Sequence, residues 1–374
     1  MKKSLIALAA LSTLAGVAQA QSNVTLYGAI GAASSKTTTN DVKAATAFNG
    51  TADDYLGTTA LGLRGTEDLG GGLSAFFNLE GDLSGSGQIG GSIASTSTSS
   101  FAGAAVTVVA TAVASVVTTT TTATGTVTTT TTTKQSIFNR QAHVGITSKD
   151  FGTISVGRQN DSVKDLEGLS QVYNLSDNLH FNTLVGNRYA QIYKYATPTI
   201  NGFKGTYSYS NAPANTTSDT ADGSTTLNSY ALSYQTGNYQ FGVASGTIAA
   251  IGSLDQKTTI YGARATFGNL TIGAGYNANK QGADELNQTI ASVNYTMGKI
   301  DLKAHYVTND QAGSVMADGS SNAPARYDGK GYGFMGVYNF SKRTAAYAGY
   351  ADFDATVGAT NDQKVTTIGL FHRF

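Results

Sequence analysis

The sequence predicts an all-β protein, a transmembrane antiparallel β-barrel of sixteen strands, and three observations lead to that prediction. They are an export leader, a two-residue alternation of apolar and polar side chains, and an unequal spacing of short turns and long loops. The composition agrees, because the 374 residues include 44 glycines, 20 tyrosines, 15 phenylalanines and only 3 prolines. The absence of cysteine excludes disulfide scaffolds, and the balance of 24 basic and 24 acidic side chains argues against a nucleic-acid partner.

The N-terminal segment, residues 1–20, has the organisation of a secretory signal peptide. Two lysines follow the initiator methionine, residues 5–18 are apolar, and Ala18-Gln19-Ala20 fits the small-x-small cleavage rule. The apolar stretch is too short to span a bilayer as a helix, so we do not interpret it as a membrane anchor. The mature chain, residues 21–374, is predicted to be a single barrel domain.

The mature chain alternates between two kinds of side chain. Between Phe203 and Tyr209 one parity is largely aromatic, whereas the other is polar and begins with Lys204. This two-residue period is typical of a β-strand. The pattern recurs at residues 230–234, 239–243, 261–267 and 300–306. A water-soluble sandwich would also alternate, but the basic side chains at mid-strand indicate one face in hydrocarbon and the other in water.

The connections between the strands fall into two classes. Seven short ones, such as Gly237–Asn238, alternate with eight longer polar ones, so fifteen connections join sixteen strands. The longer ones are predicted at residues 34–54, 83–136, 159–187, 211–227, 247–257, 278–288, 309–327 and 354–362. Short turns at one end and long loops at the other are typical of bacterial outer-membrane barrels, in which only a closed sheet satisfies every backbone group.

Five motifs in order along the chain carry a resemblance to a known family. They are Val24-Thr25-Leu26-Tyr27-Gly28, the segment Gly62–Leu73, Phe138-Asn139-Arg140-Gln141-Ala142, Asp150-Phe151-Gly152-Thr153 with Val156-Gly157-Arg158-Gln159, and the closing Ile368–Phe374. Together they resemble the general porins of Gram-negative bacteria, specifically the β-proteobacterial type. The resemblance implies an outer-membrane homotrimer of barrels that passes ions and small hydrophilic solutes passively. It also implies that the third long loop, residues 159–187, folds into the barrel and narrows the pore.

The C-terminal residue, Phe374, has a predicted role in assembly. It ends a strand whose outer parity is mostly apolar, and in the family such a phenylalanine is similar to the signal that the barrel-assembly machinery reads. Any closing strand would alternate in the same way, so a purely structural role stays open. The implied partners are therefore this machinery, the lipid and lipopolysaccharide of the outer membrane, and two further copies of the chain.

The chemistry of such a channel is the electrostatics of its constriction, where charged side chains facing one another favour ions of one sign. The predicted basic wall consists of Arg64, Arg140, Arg158 and Arg188, and the predicted acidic wall on the loop consists of Asp161, Asp165, Glu167 and Asp177. We expect the first two of these carboxylates to anchor the loop and one of the other two, Glu167 or Asp177, to supply the field. Because many relatives carry an arginine where this chain has Ala60, we expect only a weak preference for anions. A lone inward arginine can also be a solvated lumen residue.

The second long loop, residues 83–136, has a biased composition. Residues 83–133 include no charged side chain, and residues 118–133 are almost all threonine. Threonine and valine favour strands, so an extended hairpin or a flap over a neighbouring subunit is one expectation. A disordered or glycosylated surface tract is the other, and the sequence does not decide between them.

Other functions were weighed against a general channel. A solute-specific channel and a surface adhesin or structural barrel stay as alternatives. We predict no enzyme and no cofactor, because no serine lies in a G-x-S-x-G elbow and only Ser162, Asp165 and His180 form a local trio. A metal site is not predicted either, since the four histidines, at positions 143, 180, 305 and 372, lie on separate segments.

Overall fold

The computed structural model describes most of the chain from residue 23 onwards. The described ranges are 23–39, 42–43, 47–49, 53–54, 56–83, 91–100, 115–122, 125–171, 181, 183–211, 225–250, 254–312, 328–355 and 362–374. The predicted signal peptide lies outside the described residues. None of the helices in the described part of the chain is long and apolar enough to cross a membrane.

Within the described residues, one sheet that closes on itself includes two short strands, Val42–Lys43 and Ala47–Asn49, and sixteen long strands. They are β1 (Asn23–Thr39), β2 (Ala60–Gly70), β3 (Leu73–Asp82), β4 (Gln141–Ser148), β5 (Gly152–Asn160), β6 (Arg188–Ala196), β7 (Phe203–Ser210), β8 (Thr225–Thr236), β9 (Tyr239–Ala250), β10 (Gln256–Phe267), β11 (Leu270–Gln281), β12 (Asp284–Met297), β13 (Ile300–Ala312), β14 (Gly329–Asn339), β15 (Thr344–Ala355) and β16 (Gln363–Arg373).

Each strand pairs antiparallel with the next, and the last strand returns to the first. The closing pair runs in register from Ala29 opposite Arg373 to Thr39 opposite Gln363. Beyond it, the backbone N–H of Phe374 donates to the carbonyl of Gly28 at 3.0 Å. The predicted fold class, a closed barrel of sixteen antiparallel strands, is confirmed.

Side-chain burial follows the predicted alternation. On β14, Tyr332, Phe334 and Tyr338 are exposed, whereas Met335 and Val337 between them are buried. The exposed aromatic and aliphatic parity faces outwards, where a bilayer would cover it. The buried parity faces the interior and packs against the lumen wall and the inserted loop.

Glycine ends several strands because the shortest turns need a left-handed backbone. Gly237, Gly268 and Gly298 each begin a two-residue turn with φ of +53°, +58° and +61°. A fourth turn of this kind, at Gly282 with φ of +62°, joins β11 to β12. The prediction of a long connection over residues 278–288 is therefore wrong.

The polar residues around this fourth turn have the composition of a loop, but they are strand residues that face the lumen. Asn277 on β11 donates from Nδ2 to the side chain of Gln288 on β12 at 2.9 Å, and both side chains are buried. Polar side chains at the end of a barrel strand can therefore satisfy one another across the ladder rather than mark a loop.

The second long loop forms strands of its own. The segments Gly91–Ser100, Ser115–Thr122 and Gly125–Ser136 make a three-stranded antiparallel sheet with the last of them in the centre. The second and third of these strands pair from Ser115 opposite Thr132 to Thr122 opposite Gly125, within the threonine-rich tract. The extended conformation is the one that threonine and valine favour, and contact with a neighbouring subunit stays a prediction.

Candidate pore constriction

The third loop enters the barrel immediately after β5. Asp161 caps a short helix, α1 (Ser162–Glu167), and its side chain accepts a hydrogen bond from the backbone N–H of Lys164 at 2.9 Å. An aspartate here satisfies a donor that the first helical turn leaves unpaired. Val163 and Leu166 are buried, and α1 contacts β8, β9 and β10. The prediction that the third loop folds into the barrel is therefore confirmed.

The inner wall makes room for the loop with glycine. A Cβ atom on Gly246 would lie 2.7 Å from Cγ1 of Val185, and one on Gly273 would lie 2.5 Å from the backbone oxygen of Ser170. Such distances are too short for real contacts, so any side chain at these positions would displace loop atoms that lie directly on the backbone of the wall. The glycines of this seat, on β9, β10 and β11, are Gly242, Gly246, Gly262, Gly273 and Gly275.

Hydrogen bonds from wall side chains fix the loop backbone. The N–H of Ser162 donates to Oγ of Ser229 at 3.1 Å, and the N–H of Val185 donates to Oγ1 of Thr258 at 2.8 Å. Further bonds join Ser292 Oγ to the carbonyl of Ser170 at 2.6 Å, and Arg264 Nη2 to the carbonyls of Gly168 at 2.5 Å and Gln171 at 3.0 Å. Buried backbone groups of the loop are thus satisfied by the barrel itself.

The predicted acidic wall is largely paired within or next to the loop. Asp161 is fully buried, and burial raises the pKa of its carboxyl from 3.8 to about 7 against the opposing effect of its hydrogen bonds. Asp165 forms an ion pair with Lys194 of β6, and Glu167 forms one with Lys164. The fourth predicted carboxylate, Asp177, lies outside the described residues.

The basic residue Arg140 has partners that the sequence did not indicate. Its Nε donates to Glu80 at 2.6 Å and its Nη1 donates to Asp82 at 2.9 Å, both on β3. All three side chains are largely buried. We expected loop carboxylates to face this arginine, but the wall supplies its carboxylates instead. The sequence could have indicated these partners, because Glu80 and Asp82 are two residues apart and therefore lie on the same face of a strand.

The other predicted arginines occupy different positions on the wall. Arg64 is exposed on the inner face of β2, and its guanidinium lies 5.1 Å from the centre of the Tyr27 ring. Arg158, on β5, donates from Nε to the carbonyl of Asn139 at 2.6 Å. Arg188 begins β6 directly opposite Asn160, where the loop leaves the wall, and is partly buried. The field that these groups produce stays a prediction.

Two features of the wall complete the geometry. Tyr27 donates from its hydroxyl to Asn78 at 2.7 Å and to Glu80 at 3.0 Å, so one polar network joins β1, β3 and Arg140.

The side chain of Phe374 lies against Gly28 of β1, where an added Cβ atom would be 2.5 Å from Cζ of Phe374. Phe374 thus packs at the seam of the barrel, and its role in assembly stays a prediction.

A closed barrel with a loop held inside its lumen is the architecture of a porin. A model of the Gram-negative porin family matches residues 7–358, and the chain belongs to that family. Outer membrane porin protein 32 of Delftia acidovorans is 49% identical over 85 residues, a match that spans only 23% of each chain. The protein lies in the outer membrane, as members of this family do.

Solved structures share the fold at low sequence identity. The anion-selective porin from Comamonas acidovorans gives a TM-score of 0.67 with 20% identity, over 95% of this chain and 100% of that one. OmpT of Vibrio cholerae, solved in a trimer form, gives a TM-score of 0.59 with 14% identity, over 94% of this chain and 99% of that one. These likenesses agree with the closed barrel described above.

Proposed function

We propose that the protein is a passive channel through which ions and small hydrophilic solutes cross the outer membrane. The observation that carries this proposal is the third loop, which hydrogen bonds and a glycine seat fix against one side of the barrel wall. A loop held in this way narrows a lumen lined by polar and charged side chains, which limits the size of solutes rather than recognising one of them.

A weak preference for anions follows from the charges near the loop. The pairs Asp165–Lys194 and Glu167–Lys164 each cancel internally, whereas Arg64 is exposed on the lumen face. Exposed charges more than about 8–10 Å away are screened, so the local arginine outweighs the distant total. The printed description of the Comamonas neighbour as anion-selective supports the same sign.

The assembly we propose is a homotrimer. The trimer form of the Vibrio neighbour and the family membership support it. Outer-membrane lipid and lipopolysaccharide would cover the exposed apolar face, and the barrel-assembly machinery would read the strand that ends at Phe374. The proposal includes no catalytic function.

The test is single-channel recording of the folded protein in a planar bilayer under a potassium chloride gradient. We expect steps that arrive in threes, with a reversal potential of anion-selective sign. Cation-selective steps would keep the channel and overturn the preference for anions. A silent bilayer with a correctly folded barrel would overturn the channel and favour an adhesin or structural barrel.

A further inference from the structure

A recess lies in the lumen below the inserted loop, separate from the predicted arginine wall. Its volume is about 440 Å³, and it opens between the end of α1 and strands β8, β9 and β10. The side chains that matter for its chemistry are Asp165, Leu166, Leu169, Gln235, Gln240 and Arg264. Since the two glutamines flank the short turn at residues 237–238, the recess lies towards the periplasmic end of the barrel.

Strand register places three polar side chains of the recess in one row. Gln235 of β8 lies directly opposite Gln240 of β9, and Gln240 lies directly opposite Arg264 of β10. Neighbouring strands are about 4.8 Å apart, so these side chains can contact one solute of a few heavy atoms. All three share the inward parity, because Phe241 and Tyr239 of β9 are exposed on the outer face.

The guanidinium of Arg264 keeps donors for a ligand although it also holds the loop. Its Nη2 uses both hydrogens on the carbonyls of Gly168 and Gln171. Nε is buried and has no hydrogen-bond partner, and within the described residues Nη1 donates to no protein group. The hydrogens of Nη1 are therefore the ones that remain for a carboxylate oxygen.

The charge of the recess is positive. Asp165 is the carboxylate that lines it, and this group is paired with Lys194. Arg264 therefore supplies the charge that is not cancelled by an ion pair in the recess. Leu166 and Leu169 of the loop add an aliphatic surface beside it. A cationic edge next to amides and a small apolar surface fits a short organic anion better than an inorganic ion.

We propose that this recess is a binding site for small organic carboxylates that have passed the constriction. The carboxylate would accept hydrogen bonds from Arg264 Nη1 and the amide of Gln240, and the aliphatic part would lie against Leu166 and Leu169. Such a site would concentrate these solutes at the periplasmic side of the loop and favour their passage over that of neutral analogues. This inference rests on the proposed channel function.

The test measures block of the potassium chloride current through single channels by butyrate and by its neutral analogue butyramide, added to either side. We expect butyrate to reduce the current more than butyramide, and more strongly from the side of the short turns. The double variant Gln235→Leu, Gln240→Leu leaves the loop carbonyls bound and is expected to weaken butyrate block roughly tenfold, the loss of one or two hydrogen bonds to a charge.

Two further variants separate the site from the general charge of the lumen. Arg264→Lys keeps the charge but loses the planar fork, so we expect it to weaken butyrate block and to retain the sign of the selectivity. Lys342→Gln removes a charge from the exposed short turn between β14 and β15, away from Arg264, and serves as the matched control, with block unchanged.

The outcomes also distinguish this inference from the channel function. Steps that appear without any difference between butyrate and butyramide would overturn the site and leave the channel intact. An effect of Lys342→Gln equal to that of the double variant would overturn it as well, because general attraction would then explain the block. Absence of steps would instead overturn the proposed channel.

Discussion

The guanidinium of Arg140 is held by Glu80, whose Oε1 lies 2.6 Å from Nε, and both side chains are largely shielded from solvent. Asp82 takes a second nitrogen of the same group. An arginine that was predicted to attract anions is therefore compensated within the wall, by carboxylates that project from the neighbouring strand β3. The ion selectivity of the pore therefore depends on how completely the charges within such ion pairs cancel one another.

Replacement of Glu80 by glutamine is expected to make the pore more anion-selective. The change removes one of the two carboxylates at Arg140, so a net negative charge is lost from this cluster and the remaining pair of Arg140 and Asp82 is neutral. The reversal potential in a salt gradient should shift towards that of a pure anion channel, and the barrel should lose about 1.5–3 kcal/mol of stability. Asp82→Asn should shift the potential in the same direction. An unchanged potential in both variants would show that the pair lies away from the ion path.

Arg64→Ala is expected to shift the reversal potential towards cations. Arg64 is exposed on the lumen face and lies over the ring of Tyr27, so its charge acts on passing ions. The control is Lys342→Ala, which removes the same charge from an exposed short turn at the barrel end and should have a smaller effect because of screening. Equal shifts in the two variants would mean that total charge, rather than the constriction, sets the selectivity.

Gly273→Ala is expected to loosen the loop. The added Cβ would meet the backbone oxygen of Ser170, so the loop must move and weaken its bond from Ser292. We expect noisier open-channel current and a loss of about 1–3 kcal/mol. The matched control is Gly336→Ala on β14, where a Cβ meets nothing within 4 Å. If both variants conduct like the native protein, the glycine seat does not position the loop.

Leu232→Arg is expected to destabilise the barrel by about 2–4 kcal/mol, because it places a charge on the lipid-facing surface near mid-strand. Leu232 is 48% exposed on the outer face of β8. Thr226→Arg, on the same face but near the long-loop end, should cost about 0–1 kcal/mol. Denaturant titration of the compact, heat-modifiable form measures both. Similar values for the two variants would contradict the assigned depth of β8.

The stability of the folded barrel is expected to fall as the pH rises from 4 to 8, in part because of Asp161. Burial raises the pKa of this carboxyl from 3.8 to about 7, so within that window the folded protein binds more protons than the unfolded chain. Ionisation above pH 7 places a charge in a site beside Ser229, with Lys194 as the nearby cation and Asp165 as the nearby anion.

The measurement compares melting temperatures of the native protein and Asp161→Asn between pH 4 and 8. Asparagine keeps the helix cap without a charge, so the variant should lose this part of the pH dependence. Asp150→Asn, in an exposed turn, is the control and should keep it. Identical slopes for the native protein and Asp161→Asn would rule out Asp161 as the responsible group.

The barrel could be predicted from the sequence because its main determinant is local. The parity that separates Lys204 from Phe203 and Tyr207 requires only neighbouring residues and the two-residue period of a strand. The two-residue alternation did not predict the short turn at Gly282, because lumen-facing polar residues such as Asn277 have the composition of a loop. A two-residue period shows that a strand has an apolar and a polar face, but it does not show where the strand ends when polar residues continue on both sides of a turn.

The candidate site was less accessible to sequence reasoning because its contacts depend on register. Glu80 reaches Arg140 across 60 positions of sequence, and the glycine seat requires Gly273 and Ser170 to lie at the same height of the barrel. Each of these residues is ordinary in its own segment. Only the pairing of β3 with β4 and the insertion of the loop bring them together.

The seam between β1 and β16 has a consequence for biosynthesis. These strands are far apart in sequence, and Ala29 cannot meet Arg373 until β16 has been synthesised and exported. Until then the sheet has two unpaired borders whose backbone groups can recruit other extended chains. Any product that ends before β16 keeps both borders open, so it stays able to pair with other extended chains after a finished barrel has lost that ability.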